Sequence, residues 1–275
     1  MEITGIPSGF NDLDKLSYGF HPGEFIIIAV RPGLGKTALA LSMAANISIR
    51  QSKPVAFFSL ELSFQCLTTR LISAESGVEV NKLLTGLFPS SYIENKILPA
   101  GKVIEDAPLY FADNAFMTII DIQALARRLR IEEKIEIIFI DYIGLIAPDN
   151  EQLSRWEHIS EVIRSLKELA QELNIPVVGF FQLGREDEDK ESIFVDKKYA
   201  GLIEKYVDKI MFVVHKQELD ESMEDQAKES SKRVHLILTK NREEILGTAD
   251  LIYLNQLFKF VNEGISSYDE ESDDD

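Results

Sequence analysis

The chain has 275 residues, enough for one large domain with a substantial core, and its 45% hydrophobic and 27% charged residues are typical of a globular protein. The sequence shows no apolar stretch of membrane-spanning length, no signal-peptide pattern, no zinc-binding spacing among its four histidines and only one cysteine, which excludes an internal disulfide. We therefore expect a cytoplasmic protein that does not associate with a membrane.

The net charge of −17 is concentrated in three acidic segments, residues 185–191, 216–232 and 269–275. The rest of the chain is only mildly acidic, so the charge does not exclude a local basic site for phosphate or nucleic acid. The polar segment 216–232 predicts a mobile insertion between two strands, and the C-terminal composition predicts a disordered acidic tail over residues 265–275. Residues 1–264 are expected to form one domain.

Apolar, β-branched segments alternate with amphipathic segments along the chain. Strands are predicted over residues 24–30, 54–60, 135–140, 177–181, 209–214, 233–239, 248–254 and 257–261. Helices are predicted over residues 37–49, after Ser63 and over 154–173, and residues 77–107 are expected to form short helices along one sheet edge. Alternating strands and helices indicate parallel βαβ units, so the predicted fold is α/β, with a mostly parallel twisted sheet flanked by helices.

A glycine-containing loop follows the first predicted strand. Its residues are Arg31, Pro32, Gly33, Leu34, Gly35, Lys36, Thr37 and Ala38. The glycines allow phosphate to approach the backbone, and amides of the loop and the next helix face its negative charge. Lys36 would reach the β- and γ-phosphates of ATP, and the Thr37 hydroxyl would bind Mg²⁺. The usual pattern has glycine at the position of Val30, and a structural turn is the alternative, but the flanking strand and helix favour a nucleotide site.

Three polar residues follow, or end, other predicted strands. Asp141 would lie beside the nucleotide Mg²⁺, Glu61 would polarise the attacking water as a general base, and Gln182 would sense the γ-phosphate. Each residue type also has an ordinary structural use. The alternatives are a turn aspartate, a glutamate in the first turn of a helix and a polar residue at a strand end.

Several segments, in the same order, resemble the motor domain of the DnaB family of replicative helicases. The matching segments are residues 5–10, 12–14, 19–20, 22–23, 31–37, 59–61, 141–142, 145–146, 159–160, 164–167, 169–170, 172–173, 175–176 and 182–183. That family's loop also begins with Arg-Pro and lacks the early glycine, which accounts for Val30. The resemblance spans residues 3–262.

The resemblance implies a RecA-like P-loop ATPase fold with a C-terminal β-hairpin, ATP and Mg²⁺ as cofactors, and a hexameric ring with single-stranded DNA in its channel. Other replication proteins would be further partners. Glu61 would be the catalytic glutamate, Asp141 the Walker B acid and Gln182 the sensor. Lys240 and Arg242 would reach the ATP site of the neighbouring subunit; the alternative is two solvated cations in a β-hairpin.

Two departures from the family's pattern affect the C-terminal third of the chain. Two glutamates follow Arg242 where the family has Asn-Gly, and the DNA-facing loop has Lys198 in place of an arginine and lacks a Glu-Ser pair. We still expect Lys197, Lys198 and Gly201, in that loop, to contact the DNA backbone, with solvated surface charges as the alternative. The family's N-terminal domain is not part of the sequence, so an excised motor and a divergent paralogue are both open.

Three functions are therefore compared. The favoured one is an ATP-driven motor that translocates on single-stranded DNA and unwinds DNA during replication. The second is an ATPase of the same fold without helicase activity, which uses ATP to switch assembly or partner binding. The third is a binding module that docks a partner through the acidic tail, which the complete set of Lys36, Thr37, Glu61 and Asp141 disfavours.

Overall fold

The computed structural model describes residues 3–150, 152–183, 197–215, 231–242 and 245–263. The helices are α1 Asn11–Ser17, α2 Lys36–Ala45, α3 Phe64–Ser76, α4 Val80–Thr85, α5 Leu98–Asp106, α6 Ile119–Glu132, α7 Arg155–Leu173 and α8 Lys197–Tyr206. The strands are β1 Phe25–Val30, β2 Val55–Ser59, β3 Leu109–Ala112, β4 Ile137–Asp141, β5 Val177–Gln182, β6 Lys209–His215, β7 Ser231–Asn241, β8 Gly247–Leu254 and β9 Lys259–Asn262.

The strands of the described residues form one sheet in the order β3-β2-β4-β5-β1-β6-β7-β8-β9. Neighbours from β3 to β6 are parallel, and neighbours from β6 to β9 are antiparallel, so β7 and β8 form a C-terminal hairpin. The predicted α/β fold, with a mostly parallel sheet and a C-terminal hairpin, is confirmed. No helix in the described ranges is long and apolar enough to cross a membrane.

Each face of the sheet has its own hydrophobic core. On one face, α2 and α3 pack against the central strands together with inward side chains of β7, β8 and β9. On the other face, α6, α7 and α8 cover the sheet. All ten residues of α2 are buried, which is why its sequence is almost entirely Ala, Leu and small polar residues. The strands β1, β2 and β4 are buried along their whole length, as expected for parallel strands covered on both faces.

The eight predicted strands are present, with ends within two residues of the prediction. Ser63 caps α3, and Ser154 begins α7 with a capping box, because its hydroxyl accepts from the amide of Glu157 while the Glu157 carboxylate accepts from the amide of Ser154. Four elements, α1, β3, α6 and α8, were not predicted. Residues 77–107 include short helices as expected, and these pack against α3.

Parts of the chain for which a prediction was made lie outside the described residues. They are the acidic tail over residues 265–275, the acidic run 185–191 and residues 216–230 of the predicted insertion. The last two residues of that insertion, Ser231 and Lys232, belong to β7. The prediction was wrong for these two residues because they are polar and precede the alternating apolar residues from which the strand was recognised.

Candidate functional site

The segments predicted to carry chemistry meet at one edge of the sheet, at the carboxyl ends of β1, β2, β4 and β5. Val30 at the end of β1 is in register with Gln182 of β5, and Ser59 at the end of β2 is in register with Asp141 of β4. Ligands of open α/β sheets bind at this edge, because the loops that follow parallel strands converge there. The strand order therefore brings together residues that are far apart in the sequence.

The loop after β1 has the backbone of a phosphate-binding loop. Gly33 and Gly35 have φ angles of 84° and 80°, a region that residues with a Cβ rarely adopt, and α2 begins directly after Gly35. The amides at the start of α2 consequently face the loop, where they have no partner within the helix. Val30, which replaces the expected glycine, is fully buried in the core, so this position serves β1 and not the loop.

The Lys36 ammonium lies between two carboxylates. Its Nζ donates to Asp141 Oδ1 at 2.6 Å and to Glu61 Oε2 at 2.7 Å. The second oxygen of Asp141 accepts a hydrogen bond of 2.6 Å from the Thr37 hydroxyl. Asp141 is completely buried and Lys36 is only 9% exposed, so each needs the other to offset the loss of water. Four residues predicted from three separate segments thus form one hydrogen-bonded cluster.

Glu61 lies in the short connection between β2 and α3. The helix begins at Phe64, and its capping residue is Ser63, so Glu61 is not in the first helical turn. The connection is held by a hydrogen bond from the Leu60 amide to the Asp141 carbonyl oxygen, at 2.9 Å, and by one from the Ser59 hydroxyl to the Leu62 carbonyl oxygen, at 2.6 Å. The Glu61 side chain is 42% exposed and therefore accessible to a water molecule at the cleft.

An open cleft of about 330 Å³ lies over this cluster. Among the residues that the structure describes, those lining the cleft are Arg31, Pro32, Gly33, Gly35, Lys36, Thr37, Ala38, Glu61, Arg70, Gln182, Tyr253 and Phe258. Three of these side chains are basic and one is acidic, which suits a polyanionic ligand. The remaining residue of the loop, Leu34, has a buried side chain.

One wall of the cleft was not predicted. Tyr253 of β8 stacks on Phe260 of β9 with ring centroids 4.7 Å apart, and the Arg70 guanidinium lies 4.3 Å from the ring centroid of Phe258. Burial raises the pKa of the Tyr253 hydroxyl, so it remains protonated. These aromatic residues are far from the nucleotide loop in the sequence and lie beside it only in the folded chain. Their sequence pattern is that of ordinary strand residues, so it did not indicate a role in the cleft.

Lys240 and Arg242 lie at the end of β7, against the C-terminus of α8. Lys240 Nζ donates to the carbonyl oxygens of Ile203, Glu204 and Val207 at 2.8, 2.8 and 2.6 Å. Burial lowers the pKa of Lys240, and the adjacent Arg242 adds to that effect. Neither cation is among the described residues that line the cleft of its own chain.

Arg242 is held by two acceptors. Its Nη2 donates to the Lys205 carbonyl oxygen at 2.9 Å, and its Nε lies 3.0 Å from Oδ1 of Asp208. Asp208 is almost completely buried, and its other oxygen accepts from the Lys167 ammonium and from the Phe25 amide, each at 2.7 Å. The Arg242 side chain is nevertheless 52% exposed.

The residues predicted to bind DNA are helical, so their assignment to a loop was wrong. Lys197, Lys198 and Gly201 belong to α8, in which Ile203 is buried; Val207, the residue directly after the helix, is buried too. The side chains of Lys197 and Lys198 lie outside the described part of the structure. Gly201 is exposed, and a Cβ added there would meet no neighbouring atom of the described residues within 4 Å. Packing within the chain therefore does not require a glycine at this position.

The fold and the cleft define a P-loop nucleotide-binding protein of the RecA type. The family model of the DnaB-like helicase C terminal domain matches residues 5–262. This match covers nearly the whole chain, which therefore belongs to that family, and the predicted resemblance is confirmed.

Curated relatives include the replicative DNA helicase DnaB of Treponema pallidum, with 42% identity over 260 residues, and that of Geobacillus stearothermophilus, with 36% identity over 266 residues. The two alignments cover 94% and 95% of this chain and 56% and 57% of those proteins. The chain thus spans a little over half the length of the curated relatives it matches.

Solved structures give the same result. A DnaB-like replicative helicase, described with its interactions with primase, superposes with a TM-score of 0.82 at 31% identity and covers 95% of this chain and 62% of that one. A solved ATPase domain has the same TM-score and identity and covers 95% of this chain and 92% of that one. A KaiC-like protein from Pyrococcus horikoshii, at 17% identity and a TM-score of 0.61, shares the fold.

The two loop glycines give a matched pair of variants. Both have positive φ, so Gly33→Ala should lower the free energy of unfolding by about 1–2 kcal/mol from backbone strain. Gly35→Ala should cost more, because its Cβ would also lie 2.9 Å from Tyr253 Cζ and 3.0 Å from Phe260 Cε2, whereas the Gly33 position is open. Urea unfolding of both variants measures the difference; an equal loss would show that the aromatic wall does not restrict the loop.

Proposed function

We propose that this chain is the motor of an ATP-dependent DNA helicase, which hydrolyses ATP to translocate on single-stranded DNA during replication. The observation that supports it most directly is the cluster of Lys36, Thr37, Glu61 and Asp141 at the carboxyl edge of a RecA-type sheet. Family membership adds the helicase function to this nucleotide chemistry. A cytoplasmic location remains part of the proposal.

ATP would bind with its phosphates over the loop and the start of α2. The amides there and the Lys36 ammonium would bind the β- and γ-phosphates, and Arg31 and Arg70 would add positive charge. Tyr253 and Phe258 offer aromatic surface for the base at the other end of the cleft. Phosphate oxygens would replace Glu61 and Asp141 as the partners of Lys36.

The residues around Thr37 are suited to Mg²⁺. Proteins bind this ion through a few oxygen ligands and leave the remaining positions to water and substrate phosphates. The Thr37 hydroxyl and the Asp141 carboxylate lie together and point to the same place, since they are hydrogen-bonded to each other. These two side chains would hold the ion, Asp141 through a water molecule. The ion would neutralise charge on the β- and γ-phosphates.

Glu61 would act as the general base. Once Lys36 has moved to the phosphates, the Glu61 carboxylate is free to accept a proton from a water molecule as the water oxygen attacks the γ-phosphorus. The bond from that phosphorus to the bridging oxygen breaks, and ADP leaves. Gln182, in register with Val30 at the mouth of the loop, would contact the γ-phosphate and report its loss along β5.

Lys240 and Arg242 would act on a neighbouring subunit in a ring. They lie at the far end of β7, outside the cleft of their own chain, so a contribution to catalysis requires a second copy. The exposed Arg242 guanidinium would reach the γ-phosphate of that copy as an arginine finger. A head-to-tail interface forms a ring when its rotation closes on itself, and we propose a closed ring of six subunits.

Single-stranded DNA would run along the inside of the ring, in contact with the N-terminal half of α8. Lys197 and Lys198 would contact phosphates, and the open surface at Gly201 would allow the backbone of DNA to come close. Contacts to the sugar-phosphate backbone give little sequence preference, which suits a motor. Other replication proteins are proposed as further partners.

The role of Glu61 predicts a separation of binding from turnover. Glu61→Gln should bind Mg·ATP but hydrolyse it roughly 10²–10⁴ times more slowly, because the amide cannot accept the proton of the attacking water. Lys36→Ala should instead weaken nucleotide binding, since Lys36 meets phosphate charge already present in the ground state. Steady-state hydrolysis and equilibrium binding separate the two, with the exposed Glu105→Gln as a control. Hydrolysis by Glu61→Gln at the wild-type rate would exclude this base.

The role of Arg242 predicts complementation between two inactive chains. Arg242→Ala and Lys36→Ala should each lose hydrolysis, and an equal mixture should recover some. In a randomly mixed ring, roughly one quarter of the interfaces pair an intact Lys36 with an intact Arg242 of the neighbour. ATP turnover of the mixture is compared with that of each variant alone. Full activity of Arg242→Ala by itself would remove the arginine-finger role.

DNA binding decides between the helicase motor and an ATPase without helicase activity. With an ATP analogue, wild-type rings should bind single-stranded DNA, and Lys197→Ala/Lys198→Ala should bind less tightly with a smaller salt dependence. Each lost phosphate contact should reduce the slope of log K against log salt by about 0.7.

The matched control for this titration is Lys15→Ala, which removes an exposed lysine on α1. An unchanged affinity and salt slope in the double variant would move the DNA contact elsewhere. If assembled wild-type rings bound no DNA, the ATPase without helicase activity would be the correct function. Strand displacement by the full-length gene product completes the test.

A further inference from the structure

A third partner of the Lys36 ammonium has no place in the mechanism above. Lys36 Nζ lies 3.8 Å from the centroid of the Tyr142 ring, over its face. Cations within about 6 Å of an aromatic centroid are attracted by the negative face of the ring, and more strongly where water is excluded. Since Lys36 is 9% exposed, this contact belongs to the stronger kind.

The backbone leaves room for the ring in this position. Tyr142 directly follows β4, and Gly144 lies in the short helical turn Ile143–Leu145 after it. A Cβ at Gly144 would lie 3.0 Å from Cε2 and 3.2 Å from Cδ2 of the Tyr142 ring, so the ring would have to shift. The absence of a side chain at Gly144 therefore allows the ring to lie under Lys36.

The Tyr142 ring carries no charge at neutral pH, as is usual for a tyrosine. A neutral ring differs from the other two partners of Lys36, which are both carboxylates. It attracts the ammonium without offering a hydrogen-bond acceptor that competes with phosphate.

We propose that Tyr142 is a positioning residue for Lys36, and this rests on the proposed ATP site. In this structure, hydrogen bonds of 2.6 and 2.7 Å to Asp141 and Glu61 hold the ammonium together with the ring. When nucleotide binds, both carboxylates take other roles, and the ring is the side chain that stays in contact with Lys36. It favours the position in which the ammonium faces the phosphates.

The contact uses the face of the ring and not its hydroxyl, which defines the test. Tyr142→Leu should weaken binding of Mg·ADP and of a non-hydrolysable Mg·ATP analogue roughly 2- to 30-fold, and Tyr142→Phe should retain most of the affinity. Gly144→Ala should also weaken binding, because it displaces the ring. Gly101→Ala, at an open position in α5, is the matched control and should bind as wild type does.

A double-variant cycle separates positioning from packing. In a Lys36→Ala background, Tyr142→Leu should cause no further loss of nucleotide affinity, measured by calorimetry, because the cation that the ring positions is gone. Wild-type affinity in Tyr142→Leu, an equal loss in Tyr142→Phe, or the same loss in the Lys36→Ala background would each overturn the proposal. Failure of the wild type to bind either nucleotide would instead refute the ATP site itself, and the positioning role with it.

Discussion

The ammonium of Lys36 is the charge around which the site is built. It stands at the start of a fully buried helix and needs compensation, because an unpaired buried charge costs several kcal/mol. The ends of β2 and β4 provide it, through Glu61 and Asp141. The ammonium is therefore already hydrogen-bonded within its own chain. In the proposed mechanism, a nucleotide would exchange these contacts for its own, and the exchange would both bring the lysine to phosphate and free Glu61, the proposed general base.

That arrangement requires the parallel register of the central strands. β4 lies between β2 and β5, and β5 lies beside β1, so the four chain segments reach the same edge in a fixed order. A slip of one residue in β4 would turn Asp141 to the opposite face of the sheet, away from Thr37. Each strand is buried on both faces, and the core on either side resists such a slip. Packing far from the cleft thus determines the geometry within it.

The central strands, the nucleotide loop and the acidic residues at the strand ends could be predicted from the sequence, because each has a local pattern. Long apolar runs mark buried strands, and the loop and the acids follow them directly. Other features have no such pattern: β3 has only four residues, and Tyr253, Phe258 and Arg70 meet the loop only after folding. Buried lysines are a further feature that the sequence does not reveal. Lysine is usually a surface residue, yet the ammonium groups of Lys167 and Lys209 lie in the interior, paired with Asp208 and Glu24.

The error at residues 197–201 has a physical cause that connects two functional elements. A helix ends with carbonyl groups that have no partner within it, and those of α8 are bound by Lys240 and Arg242 from the end of β7. This stabilisation is invisible in the local sequence of α8. These hydrogen bonds also connect α8, which carries the proposed DNA contacts, to Lys240 and Arg242, which are proposed to act on the next subunit. A movement of that pair toward a neighbour's phosphate would break hydrogen bonds to α8 and leave its C-terminal carbonyls to water. The nucleotide state at one interface would then alter the helix that is proposed to contact DNA.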